Sequence, residues 1–217
     1  MNAEPVKDHA SLMDKVYRHQ RYIYDFTRKY YLFGRDRLIR ELDLRPGDRV
    51  VEIGCGTARN LIRIAERYPD ARLFGMDASH EMLKTAAESV RRAGLETRIC
   101  LAHGYAEDLS PAMFGEHEAF DACIFSYSLS MIPQWKQALR QAAATLSPDG
   151  RIHVVDFGDL TGLGRTGQTA LLAWLRLFHV TPRAELLHDL ERSTSASLRV
   201  LPGRYAFLLT ASKTLSF

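Results

Sequence analysis

The sequence predicts an α/β fold, a doubly wound and mostly parallel sheet that closes with a C-terminal antiparallel hairpin. Three observations carry this expectation. Val50-Val51-Glu52-Ile53 is an apolar run suited to a strand covered on both faces, and it ends in Gly54-Cys55-Gly56-Thr57, whose glycines permit a sharp turn and a close approach of backbone to a ligand. Strand-like and helical patterns then alternate as far as residue 157, the rhythm of a parallel sheet with helices on both faces. Two further strand-like runs close the chain, joined by Pro202-Gly203-Arg204, a joint short enough for a hairpin.

Taken in order, residues 12–42 have helical character, with Val16, Ile23, Phe26, Tyr30, Leu38 and Leu42 among the apolar positions and an interruption near Gly34. Leu44-Arg45-Pro46-Gly47-Asp48 is a turn by its Pro-Gly pair and delivers the chain into the strand at 49–53. Strands follow at Arg72–Asp77, Arg98–Ala102, Phe120–Tyr127 and Arg151–Phe157, and helices at 57–67, 80–93 and 135–146. The helices carry apolar positions at three- and four-residue spacing, such as Leu61, Ile64, Ala65 and Tyr68. After a glycine-rich turn come an apolar helix at Leu171–Phe178, a short helix starting near Pro182, and strands at Ser197–Leu201 and Tyr205–Ala211. Nothing in the pattern asks for a second domain, so 1–217 reads as one unit, with an aromatic and basic helical segment at 1–45 ahead of a sheet domain at 46–217.

Composition excludes some classes. At 217 residues and 46% hydrophobic, the chain can bury a substantial core. Its net charge of +3 is too small to imply nucleic-acid binding. Cys55, Cys100 and Cys123 lack metal-ligand spacing and lie in or beside apolar runs, so they read as reduced core residues of a cytoplasmic protein, with no metal site. The first residues lack the apolar centre of a signal peptide, and no apolar run reaches membrane-spanning length.

The glycine turn narrows the ligand. A dinucleotide site would show a third glycine where Arg59 stands, and the long side chain would crowd the packing surface that glycine keeps open. No phosphate-loop string is present. Glu52, a carboxylate within an apolar strand, demands a partner. Asp77 ends the next strand, where a carboxylate serves either as a ribose acceptor or as a helix cap.

Val51-Glu52-Ile53-Gly54-Cys55-Gly56-Thr57 resembles the first motif of the class I S-adenosylmethionine-dependent methyltransferases, and Phe74-Gly75-Met76-Asp77-Ala78-Ser79 the second. Ala106-Glu107-Asp108-Leu109, Phe120-Asp121 and Leu146-Ser147-Pro148-Asp149-Gly150 look like further landmarks in the family's order. The resemblance implies a Rossmann-like methyltransferase fold with S-adenosyl-L-methionine as cofactor. It places Gly54, Gly56 and Thr57 at the methionine part and Asp77 at the ribose, and it gives Glu52 a partner in either the backbone amides of the turn or the cofactor's ammonium group. Ala78, Tyr105, Ala106 and Glu107 would then border the adenine, and Ser126 and Tyr127 lie near the sulfonium. Glu107 has a solvated alternative, and His153 reads as a satisfied core histidine.

Between residues 15 and 40 the chain interleaves seven aromatics with eight Lys/Arg against two acids. This string resembles the N-terminal region of bacterial methyltransferases that trimethylate diacylglyceryl-homoserine to betaine lipid. On that resemblance Tyr17, Tyr24, Tyr30 and Tyr31 form a lid, with Tyr24, Tyr31 and Tyr127 the candidate catalytic residues. Arg28, Lys29, Arg35 and Arg37 would face anionic headgroups or the substrate carboxylate, and the protein would meet its lipid headgroup substrate at the inner membrane surface. The bland reading is a basic amphipathic helix packed on the sheet. Phosphatidylethanolamine N-methylation, quinone C-methylation, a dehydrogenase and a non-catalytic cofactor-binding module are the alternatives. The oligomeric state is not legible.

Overall fold

The computed structural model describes residues 32–176, 180–191 and 196–213. Seven strands form one sheet: β1 (Arg49–Ile53), β2 (Arg72–Asp77), β3 (Ile99–His103), β4 (Phe120–Ser126), β5 (Leu146–Phe157), β6 (Ala196–Val200) and β7 (Ala206–Ser212). Their order across the sheet is β3-β2-β1-β4-β5-β7-β6. The first five strands run parallel, and β7 lies antiparallel to both β5 and β6. The expected parallel sheet and closing hairpin are therefore both present. A hairpin wedged in this way gives the sheet two edges, β3 and β6, of which β3 flanks the cofactor side.

Among the described residues, six helices accompany the sheet: α1 (Arg35–Arg40), α2 (Arg59–Arg67), α3 (His80–Arg92), α4 (Trp135–Ala144), α5 (Gly164–Arg176) and α6 (Ala184–Glu191). Every residue of β1 is buried, as a strand covered on both faces requires. Its side chains alternate between two apolar layers. Val50 packs with Ile39 of α1, Leu61 and Ile64 of α2, and Ala86 of α3, whereas Val51 and Ile53 pack with Leu139 and Ala142 of α4 and Leu187 of α6. Glu52 shares the parity of Val50, so its carboxylate is directed to the α2 side of the sheet.

Some boundaries differ from expectation for identifiable reasons. β5 begins at Leu146, because Leu146 pairs with Phe120 and a bulge then takes up the Pro148-Asp149-Gly150 stretch before Arg151 pairs with Ala122. α5 starts at Gly164, seven residues before the apolar run that suggested it, since its first turns are polar and solvent-facing. Gly34 does break the N-terminal helical pattern, with φ at 89°. Cys55 and Cys123 are buried as expected, but Cys100 is exposed on the edge strand β3, where one face has no helix over it. Asp121, one of the sequence landmarks, fastens strand ends: its carboxylate accepts the Arg49 backbone N–H at 2.9 Å and the Ser147 hydroxyl at 2.9 Å.

Close packing between α2 and the sheet depends on Gly75 in β2. A Cβ there would lie 2.6 Å from Leu61 Cδ1 and 3.0 Å from both Cys55 Sγ and Leu101 Cδ2. Gly75→Ala is expected to lower stability by about 1–3 kcal/mol through overpacking. The check is a urea midpoint that falls at unchanged slope; an unmoved midpoint would show that Leu61 and Leu101 yield freely.

Candidate functional site

The loops at the C-terminal ends of the parallel strands build a cleft of about 280 Å³. Leu32, Arg35, Glu52, Gly54, Cys55, Gly56, Thr57, Arg59, Asn60 and Ser126 line it. Five residues expected at the cofactor, Glu52, Gly54, Gly56, Thr57 and Ser126, thus come together here.

The glycine turn has a backbone that side chains oppose. Gly54 and Gly56 have φ of 73° and 55°, and Ala58 follows at 62°. A Cβ on Gly54 would also stand 2.7 Å from Ser128 Cβ. The turn is held from β2: the Met76 carbonyl accepts N–H bonds from Gly54 and Cys55, each at 2.9 Å, and the Asp77 carboxylate accepts the Gly56 N–H at 2.8 Å. The second oxygen of Asp77 accepts the Ser79 N–H at 2.9 Å, and the Ser79 hydroxyl caps α3 through the Met82 N–H. Asp77 is half-buried, so the carboxylate that holds these two backbone segments keeps part of its surface exposed.

Glu52 is only 1% exposed. The Asn60 side-chain amide donates to it at 2.7 Å, a partner that the sequence reading did not name. Asn60 in turn accepts from the Arg59 guanidinium at 3.1 Å, and Arg59 pairs with Asp36 of α1 at 2.9 Å. The sequence signal that points to Asn60 is the unmet demand of Glu52, eight residues earlier in β1. Leu32 and Arg35 were not placed at the cofactor, because only tertiary structure brings α1 over the turn.

Further along the strand ends, Ala78, Tyr105, Ala106 and Glu107 lie at the ends of β2 and β3, outside the cleft lining. Ala106 is buried and opens a 3-10 turn, while Tyr105 and Glu107 are half-exposed. Two residues missed in the sequence stand beside them. The His80 and His103 rings stack at 3.7 Å and 5° between planes, with His103 Nε2 3.1 Å from the Ala78 carbonyl oxygen and the Tyr105 ring edge-on at 6.3 Å.

The candidate catalytic residues fare differently. Tyr24 and Tyr31, with Tyr17, Tyr30, Arg28 and Lys29, lie outside the described residues. Tyr127 is a correction. Its φ of 56° turns the side chain into the core, where the ring packs edge-on against Phe157 at 4.7 Å and the hydroxyl donates to the Phe33 carbonyl at 2.6 Å. It anchors the chain entering α1 and does not line the cleft. Arg37 is also reassigned, because Glu41 holds it at 2.8 Å while pairing with Arg199 at 2.8 Å. His153 is buried as expected, 3.3 Å from the Thr210 hydroxyl, and burial lowers its pKa to about 4. Among the described residues, no group of three or more His, Cys, Asp or Glu side chains gathers as a metal site.

The loop leaving β4 begins just after Ser126 of the cleft lining. Ser126 and Ser128 are buried, and among the described residues neither hydroxyl has a hydrogen-bond partner. Asp156, at the end of β5, holds this loop by accepting the Ser130 N–H at 3.0 Å, and it also accepts the Phe157 N–H at 2.7 Å. Complete burial pushes Asp156 up to about 6, with the backbone N–H bonds opposing the shift. A carboxyl whose folded-state value exceeds the 3.8 of an open chain lends stability that is full below about pH 4 and is lost as pH rises through 6. Asp156→Asn abolishes this titration. Urea titrations between pH 4 and 7 should therefore show stability shifting in favour of the variant, by up to about 1.4 kcal/mol per unit of pKa difference. A pH-independent difference would show that Asp156 does not titrate there.

This geometry is shared with known proteins. A family model described as a methyltransferase domain matches residues 50–150. The ubiquinone/menaquinone biosynthesis C-methyltransferase UbiE of Syntrophotalea carbinolica is 31% identical over 215 residues, covering 94% of this chain and 84% of that protein. The demethylmenaquinone methyltransferase of Bacillus cytotoxicus is 28% identical, over 74% of this chain and 62% of its own length, so that match spans less than two thirds of the relative. Among solved structures, the S-adenosylmethionine-dependent methyltransferase SibL superposes with a TM-score of 0.65 at 22% identity, covering 88% of this chain and 57% of SibL. With its sheet order, its glycine turn and this similarity, the chain belongs to the class I S-adenosylmethionine-dependent methyltransferases.

Proposed function

We propose that the chain methylates a ring carbon of a lipid-soluble quinone, using S-adenosylmethionine as donor. The observation that carries the acceptor is the similarity to UbiE over nearly the whole chain. This departs from the betaine-lipid expectation, for which the relatives give no support.

When bound, the donor supplies an electrophilic methyl group on a sulfonium, and the protein's task is to hold donor and acceptor in line. The cleft suits that donor on its own chemistry. Glu52, buried under the glycine turn, offers an acceptor for an ammonium group. Gly54 and Gly56 keep the turn low enough for close approach, and Asp77 presents a carboxylate at the adjoining strand end for ribose hydroxyls. Ala78, Tyr105, Ala106 and Glu107 border the adenine end, where the flat His80–His103 stack stands beside them. On the acceptor side, the buried hydroxyls of Ser126 and Ser128 are available to the oxygen of a ring hydroxyl, which a group buried without a protein partner demands.

A second reading, methylation of the amine of diacylglyceryl-homoserine, is kept by one observation. The string from Tyr24 to Arg37 interleaves aromatics with bases, and aromatic faces stabilise methylated ammonium by about 0.5–2 kcal/mol each. In both readings the acceptor is met at a membrane surface, since among the described residues no helix is long and apolar enough to cross one.

The experiment supplies deuteromethyl-labelled S-adenosylmethionine with detergent-dispersed demethylmenaquinol or diacylglyceryl-homoserine, followed by mass spectrometry. Label on the quinol ring is expected. Label on the homoserine amine alone would replace the quinone reading with the second. Donor binding without label on either acceptor would overturn both and favour a non-catalytic cofactor-binding module.

A further inference from the structure

Among the described residues two large apolar side chains stand exposed, Phe33 at 57% and Leu163 at 38%. Far apart in the chain, they rest against one joint, the Pro202–Arg204 turn between β6 and β7. The Phe33 ring meets Tyr205 edge-on at 5.4 Å, and Leu163 packs so closely on the turn that a Cβ on Gly203 would lie 2.9 Å from its Cδ2. Pro202, at the head of the turn, is exposed as well. Leu32, the neighbour of Phe33, lines the cleft, so this apolar group begins one residue from it.

The backbone beneath these side chains is firmly held. A Cβ on Gly162 would stand 2.6 Å from the Gly203 carbonyl carbon, so the loop before α5 lies directly on the turn. Asp159 of that loop accepts from Arg204 Nε at 2.8 Å and Nη2 at 2.7 Å. The Tyr127 hydroxyl donates to the Phe33 carbonyl at 2.6 Å. Apolar side chains gathered at one fixed place fit an interaction surface better than single exposed residues do.

Charge indicates the partner. Asp36 and Asp159, the acids nearest in the chain to Phe33 and Leu163, are each paired with an arginine. Arg165 is exposed two residues beyond Leu163. The chain arriving at Leu32 carries Lys15, Arg18, Arg21, Arg28 and Lys29 against Asp25 over residues 15–31. A few apolar side chains beside bases suit the headgroup layer of an anionic bilayer, which admits shallow apolar insertion and attracts positive charge. The same few fall well short of the roughly 800 Å² per partner that a stable second copy would cover.

We propose that Phe33, Pro202 and Leu163, with the bases around them, dock on an anionic bilayer and set the cleft beside the membrane. The proposal deepens the quinone reading and rests on it for its purpose, since a lipid-soluble acceptor would then reach the cleft without crossing bulk water.

The test is co-sedimentation with vesicles of phosphatidylcholine alone or of an equimolar mixture with phosphatidylglycerol. Wild type should bind the mixed vesicles and leave them as salt is raised. The double variant Phe33→Ser, Leu163→Ser should partition at least about tenfold less, and Arg165→Gln about three- to fivefold less. Leu163→Trp, which keeps an apolar group in place, should bind like wild type and so separates lost insertion from lost fold. Undiminished binding by the double variant, equal binding to both kinds of vesicle, or no binding by wild type would overturn the proposal. A wild-type dimer that the double variant splits would overturn it in favour of a second copy. The vesicles carry no quinol, so a failure here is distinguishable from a failure of the quinone reading, which the labelled acceptors decide.

Discussion

The hold that the end of β2 exerts on the turn after β1 is the constraint from which the site follows. Parallel register sets Ile53 beside Met76, so the Met76 carbonyl and the Asp77 carboxylate arrive next to Gly54, Cys55 and Gly56. Gly54, Gly56 and Ala58 all hold positive φ here, a conformation that glycine adopts freely and alanine seldom visits. Released from β2, the turn would lose its shape, α2 would lose its starting point, and the carboxylate beneath would lose its cover. A single acid thereby orders two strand ends and still presents its outer side to a ligand.

A chain of polar contacts extends from that turn to the protein's edge. Glu52 would be costly where it sits were it not for Asn60, and Asn60 is oriented by Arg59, which reaches Asp36 on α1. Arg59 stands where a dinucleotide-binding protein keeps a glycine, and its length is put to use: it ties the helix that covers the cleft to the helix that begins it. The exposed Arg59–Asp36 pair contributes little energy by itself. Its effect is geometric, since it fixes α1 where Leu32 and Arg35 complete the cleft.

Much of this was legible in the sequence. Buried parallel strands leave continuous apolar runs, so β1 and β2 could be bounded to the residue, and a charged residue inside such a run, Glu52, identified itself by its cost. Asp77 was legible from its place one strand after the turn. What escaped required tertiary information. The direction of the Tyr127 side chain depends on a single positive φ that no pattern reveals. Arg35 acquires meaning only when α1 folds over the turn, and the His80–His103 stack joins residues from different strand–helix junctions. The exposure of Cys100 follows from β3 being an edge, and sheet order cannot be read from alternation alone.

The contacts around the glycine turn are thus mutually dependent, while the loop after β4 carries buried hydroxyls and is held by Asp156. Glu52 is buried beside the glycine turn, and in the function proposed above it meets the ammonium group of S-adenosylmethionine. Calorimetric titration of Glu52→Gln against wild type tests it most directly. The account predicts one donor molecule bound per chain in the wild type, and affinity at least about tenfold lower in a variant that unfolds at a similar temperature. Undiminished affinity in Glu52→Gln would contradict it.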